Sequence, residues 1–148
     1  MKRIIFFVAF LFISAASFGQ ILKPVKWSYA SKRINDKEAV LLLKATIDNG
    51  WHIYSQTVPK NGPQPTSFSF LSSKAYQLNG KVQAAKPTVK HDPTFDMEVG
   101  YYGKSVVFQQ KVKLTGNSPT VKGTLTYMVC NDKQCLPPEE VAFSIPVK

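Results

Sequence analysis

In several short runs between residues 25 and 147, separated by turn formers, the apolar side chains of this chain recur at every second position. That period belongs to strands, because successive side chains of an extended backbone leave opposite faces and only one face need be buried. In 105–114, Val106, Phe108, Val112 and Leu114 share a face. In 121–129, Val121, Leu125, Tyr127 and Val129 point inward, and 141–147 does the same with Val141, Phe143, Ile145 and Val147. Earlier strands are expected at 25–30, 38–48, 51–56 and 66–71, with Phe68 and Phe70 on one side of the last. Shorter ones are expected at 76–78, 82–84 and 88–90. Asn49-Gly50 is a strong turn signal, so 38–48 and 51–56 are expected to form a hairpin. Segment 58–65 is too rich in proline for a helix, and 91–103 reads as irregular. Many short alternating strands without helices predict an all-β chain, an antiparallel β-sandwich of immunoglobulin-like type.

The N-terminus reads differently. Lys2 and Arg3 precede an apolar run at 4–13, and small residues follow up to Gly19. This is the pattern of a secretory signal peptide, residues 1–19, with cleavage expected near Gly19–Gln20. The run is too short to span a membrane, which takes about 20 residues, and no lipidation cysteine follows it. One exported domain, 20–148, is therefore expected, with no stable membrane insertion. Removing Lys2 and Arg3 leaves 17 basic against 9 acidic residues, a net charge of +8. The lysines are spread along strands and no nucleic-acid motif is present, so nucleic acid is not expected as a partner. A solvated basic surface is the plain reading, and a docking face for an acidic partner is the other.

The only two cysteines, Cys130 and Cys135, lie in the stretch Tyr-Met-Val-Cys-Asn-Asp-Lys-Gln-Cys-Leu-Pro-Pro-Glu-Glu. Four polar turn formers separate them, and Pro137-Pro138 stiffens the exit. The thiols are thus expected at the tip of a strand-loop-strand, bridgeable if the loop brings their Cα atoms to about 5.5 Å. A loop this short constrains the unfolded chain by only roughly 2 kcal/mol. The residues alone leave a structural staple and a redox-active pair both open. Cys130, Cys135, His52, His91, Met97 and Met128 are soft donors, but no paired Cys/His spacing of a metal site is present. Neither metal nor cofactor is expected. Nothing places a histidine beside a thiol as in a cysteine hydrolase, and His52, on a strand, suits a surface or half-buried position as well as a functional one.

These residues resemble the N-terminal periplasmic domain of the thiol:disulfide interchange protein DsbD. The tail Thr126-Tyr127-Met128-Val129-Cys130 and Cys135-Leu136-Pro137-Pro138-Glu139 is similar to that family's active-site hairpin. Asn49-Gly50-Trp51-His52-Ile53-Tyr54 resembles its aromatic strand, and Gly100-Tyr101-Tyr102-Gly103-Lys104 its cap loop, followed by the strand at 106–114. The resemblance implies an immunoglobulin-like fold whose cysteines shuttle electrons, Cys135 forming the mixed disulfide and Cys130 resolving it. It implies thioredoxin-like partners and a membrane thiol reductant, both supplied in trans to a freestanding periplasmic domain with protein-disulfide reductase activity. It makes Tyr101 and Tyr102 cap residues and places Tyr54 and His52 beside the thiols. His52 stands where the family tends to have tyrosine. Val99 and Gly100 stand where it has an acidic pair, with Asp96 and Glu98 just upstream. The other reading is a non-enzymatic exported binding module with a structural disulfide.

Exchange chemistry needs an accessible sulfur, a thiolate fraction and a leaving group. The hairpin tip supplies access. In sequence only Lys133 is a cation close to the thiols, and no helix N-terminus is there to favour a thiolate. A pair so weakly activated suits a relay that depends on its partner's thiol. The segment 91–103 carries Phe95, Met97, Tyr101 and Tyr102, too much apolar surface for a solvated loop, and Gly100 and Gly103 flank its tyrosines as candidate hinges.

Overall fold

A computed structural model describes residues 22–148; the expected signal peptide and its cleavage site lie outside the described residues. Eleven strands follow one another: β1 Val25–Asn35, β2 Glu38–Ile47, β3 His52–Tyr54, β4 Ser67–Phe70, β5 Tyr76–Gln83 and β6 Thr88–Asp92. Then come β7 Met97–Gly103, β8 Ser105–Leu114, β9 Thr120–Tyr127, β10 Val129–Cys130 and β11 Glu139–Pro146. Among the described residues there is no helix. All pairings are antiparallel.

One layer is the sheet β1-β2-β8-β5. The other is made of two smaller sheets, β10-β3-β7-β6 and β11-β9-β4, joined because β9 passes through Met128 directly into β10. Strand β8 shows the sandwich pattern most clearly: each even-numbered residue from Val106 to Leu114 is buried and each odd one faces water. Phe108 from β8 and Trp27 from β1 meet Phe68 from β4 and Tyr127 from β9, with ring centroids 4.9–6.3 Å apart. Edge-on and tilted packing of this kind adds to area burial. The core also takes Ile53 and Val129 from the smaller sheet that holds the cysteines.

Gln110 occupies the same inward row of β8 and is 1 % exposed. Its amide donates to Gly80 O at 3.1 Å, where β5 breaks register between Asn79 and Gln83. A buried amide is tolerable there because the irregularity frees carbonyls that it can satisfy.

Four expectations change. The hairpin is formed by β1 and β2, not by 38–48 with 51–56. Both edges of β2 are taken, by β1 and β8, and Asn49-Gly50 instead turns the chain into the opposite layer. Gly50 adopts φ 80°, in the left-handed region that glycine enters without steric cost. Strand β1 runs on to Asn35 with polar residues because it is an edge strand, where outward side chains meet water. The expected strands at 76–78 and 82–84 are one strand, β5. Finally, 91–103 is not irregular: it holds the end of β6, a turn and the whole of β7. Its glycines hid the alternation. Gly100 is not a hinge; a Cβ there would lie 2.9 Å from Ser55 Oγ and 3.0 Å from Pro87 Cγ, so glycine permits close packing.

Candidate functional site

Cys130 and Cys135 are joined in a disulfide. The loop between them is organised by Asn131, whose Oδ1 accepts the backbone N–H groups of Lys133 and Gln134 at 2.9 and 2.8 Å. Asn131 N donates to Gln134 O at 2.9 Å, and Leu136 N to Val129 O at 2.9 Å. Those two bonds flank the cysteines and make them a directly opposed pair without hydrogen bonds of its own, the arrangement in which antiparallel strands approach closest. The Cα atoms are therefore 4.0 Å apart, nearer than expected from the sequence. Cys130 is 1 % exposed, whereas Cys135 is only half-buried. The two sulfurs are not equivalent.

The sheet β10-β3-β7-β6 carries this pair on the face turned away from the sandwich core. Register sets Cys130 opposite His52, His52 opposite Gly103, and Tyr54 opposite Tyr101. A second apolar cluster forms on this face around Tyr54, Val99 and Cys130, with Val58, Phe95, Met97, Tyr101, Met128 and Cys135 packed against it. The His52 ring lies edge-on to Tyr54 at 5.3 Å and to Tyr101 at 5.1 Å, and Phe95 meets Tyr54 at 6.0 Å. Tyr101, Tyr54 and His52 thus gather where the cysteines are. Tyr102 does not. One residue along β7 it leaves the opposite face, packs on Phe108 at 5.7 Å and donates its hydroxyl to Ala85 O at 2.8 Å.

A carboxylate also enters the site, from β6. Asp92 is 4 % exposed, and its Oδ2 accepts the Tyr54 hydroxyl at 2.7 Å while Oδ1 accepts Thr94 N–H at 2.8 Å. Burial by itself would raise the Asp92 carboxyl, but the bonds from Tyr54, Thr94 and Phe95, with His52 nearby, outweigh it and hold the group below its ordinary value. Burial, followed by the hydrogen bond to Asp92, pushes the Tyr54 phenol far above its usual range. His52 is held below 6.5 by burial first and then by the Lys90 ammonium, against the opposing pull of Asp92 and Asp132. Lys90 reaches the site from β6, over the Tyr101 ring at 5.1 Å and 4.0 Å from the Asp132 carboxylate.

Asp92 and Lys90 lie far from the thiols along the chain, so local sequence does not reveal them as neighbours of the site. The one local signal was Asp92-Pro93, a pairing that favours turns in which the Asp side chain bonds backbone two residues on. Among the described residues no three His, Cys, Asp or Glu side chains cluster so as to hold a metal ion. A cleft of about 370 Å³ between Ser55, Pro87, Val89 and Tyr102 opens on the other face of β7 from the cysteines.

A sequence model of the family described as thiol:disulfide interchange protein DsbD, N-terminal, matches residues 20–146. Among solved structures, the N-terminal domain of Neisseria meningitidis DsbD in its reduced form is 18 % identical and superposes with a TM-score of 0.51, covering 79 % of this chain and 82 % of that one. The same organism's DsbD N-terminal domain in complex with the PilB N-terminal domain gives 17 %, 0.55, and 84 % and 87 % coverage. The N-terminal periplasmic domain of ScsB from Proteus mirabilis gives 16 % and 0.61, over 85 % of this chain and 47 % of that one. These likenesses establish the fold as the immunoglobulin-like sandwich of DsbD N-terminal domains. No curated protein sequence matches significantly.

Proposed function

The chain belongs to the family of DsbD N-terminal domains of thiol:disulfide interchange proteins, and from that premise we propose that it relays reducing equivalents between thioredoxin-like partners through Cys130 and Cys135. A role in thiol:disulfide interchange follows from the family. The observation that supports this particular relay is the asymmetric disulfide at a hairpin tip, one sulfur buried and the other half-exposed, outside the sandwich core.

In the reduced protein the Cys135 thiolate attacks a partner's disulfide. A bond forms between Cys135 Sγ and one partner sulfur, and the partner's other sulfur leaves as a thiolate. The Cys130 thiolate then attacks Cys135 Sγ, the mixed disulfide breaks, and the partner departs as a dithiol. Two electrons have passed, and the Cys130–Cys135 bond remains. A membrane thiol reductant acting in trans resets the pair by the reverse sequence. Tyr101, with Phe95 and Met97, covers the pair until a partner displaces these side chains, a gating role like that of a lid. The setting is the periplasm.

Two measurements test this. The reduction potential of the bond, equilibrated against a dithiothreitol series, is expected above about −300 mV, since structural disulfides lie below that value. A lower potential would make the protein a binding module with a structural staple. In a Cys130→Ser chain, a mixed disulfide through Cys135 should accumulate with a thioredoxin-like domain lacking its own resolving cysteine. Peptide mapping that finds the preferred linkage at Cys130 in the Cys135→Ser chain would reverse the two roles.

A further inference from the structure

We propose that His52 takes the proton from the Cys130 thiol as that sulfur attacks the mixed disulfide at Cys135, a step that rests on the relay described above. Three observations meet at this residue. Register places His52 directly opposite Cys130 across β3 and β10, a relation that brings Cβ atoms within about 4.5–5.5 Å. Its Nε2 is buried and has no hydrogen-bond partner, which is rare for a buried ring nitrogen and leaves it free to accept. Cys130 is 1 % exposed, so water has little access to receive its proton.

The surroundings suit the task. Tyr54 on the same strand and Tyr101 on β7 hold the imidazole edge-on from two sides and limit its rotation. The charged groups that act on it are Lys90 and Asp92 from β6 and Asp132 from the tip loop. Burial and Lys90 keep the ring neutral near pH 7, the state that can accept a proton. Cys130 Sγ–H gives its proton to Nε2 and its electron pair to Cys135 Sγ; the bond between Cys135 and the partner sulfur breaks; the partner leaves as a thiolate. The imidazolium returns the proton to that thiolate or to solvent. The partner has gained two electrons and this protein has lost two.

A chromogenic disulfide separates the steps. One equivalent of dithiobis(nitrobenzoate), mixed with the reduced protein in a stopped-flow instrument, releases a first thionitrobenzoate as Cys135 takes the reagent. It releases a second as Cys130 displaces the adduct. In His52→Gln the second release should slow by at least about tenfold more than the first at neutral pH, a modest share of the roughly 10²–10⁴-fold that a positioned base typically contributes. In the parent, the second release should fall as pH drops through the imidazole's titration below 6.5, and this inflection should vanish in the variant. His52→Tyr, which keeps a ring in place, should show the same loss. A second release with unchanged rate and pH profile in either folded variant overturns the proposal. So does a parent profile without the inflection, which needs no variant to fold. Failure of the relay itself looks different: a Cys135→Ser chain that retains the fast first release, while Cys130→Ser loses it, would invert the cysteine roles whatever His52 does.

Discussion

Strand β3 is three residues long and serves two interiors. Ile53 faces the sandwich core, where Trp27, Phe68, Phe108 and Tyr127 interlock. His52 and Tyr54 face the cysteine cluster, where a histidine, a phenol and a carboxylate are buried beside a disulfide. The first interior is apolar and large, and its stability scales with area removed from water. The second is small and held by a few directed bonds, and each buried polar group in it carries a desolvation cost that its partners must offset. The main core and the disulfide cluster lie on opposite faces of one sheet. Chemistry at the tip can therefore change without reshaping the core.

The largest expected effect is in the core. Phe108→Ala should cost about 3–5 kcal/mol in chemical denaturation, yet the folded fraction should keep the parent's rate of disulfide exchange. A change in that rate would show the two interiors to be coupled. Tyr54→Phe comes next. It removes one of the charge-assisted bonds to the buried Asp92 carboxylate, and about 1.5–3 kcal/mol should be lost, at a position where only one oxygen has been removed. Loss within the range of a surface change would mean that the directed bonds do not hold the second interior.

Acid sharpens the same contrast, because both shifted groups belong to the cysteine face. The folded Asp92 carboxyl sits below its ordinary value of 3.8, so its stabilisation is present above that pH and is lost as pH falls through the folded value. The folded imidazole of His52 sits below 6.5, so the unfolded chain binds that proton first and stability declines as pH drops below 6.5. Both act in one direction. His52→Gln should flatten the decline just below pH 6.5, and Asp92→Asn the one below 3.8, in denaturation series at stepped pH.

Cys135→Ala should remove at most roughly 2 kcal/mol, the entropy of a very short loop, while abolishing exchange with a thioredoxin-like partner. A chain that fails to fold would mark the disulfide as a staple. The smallest stability effect is expected for Tyr101→Ala. As the proposed cap, this half-buried ring packs with the cysteine cluster and not in the main core, so the bond should react severalfold faster with small thiols while the melting temperature hardly moves. An unchanged thiol rate would leave Tyr101 as packing only.

Much of this molecule was legible as a string of residues, because alternation is a local property. A strand with one wet face must alternate, so β8, β9 and β11 and their buried sides could be read directly, and the cysteines, turn formers and double proline of the tip are contiguous. What could not be read depends on contacts between distant segments. Whether Asn49-Gly50 closes a hairpin or turns the chain into another layer was decided by β1 and β8, which occupy both edges of β2. Strand β7 was hidden because Gly100 and Gly103 interrupt its alternation and its two adjacent tyrosines pack on opposite faces, Tyr102 against the core and Tyr101 against the cysteine cluster. Asp92 lies 38 residues from Cys130 along the chain, and only the pairing of β6, β7, β3 and β10 brings its carboxylate to the same face. Local chemistry set which residues could be strands and which atoms could react; long-range pairing, paid for by burial of both faces, decided which of them meet.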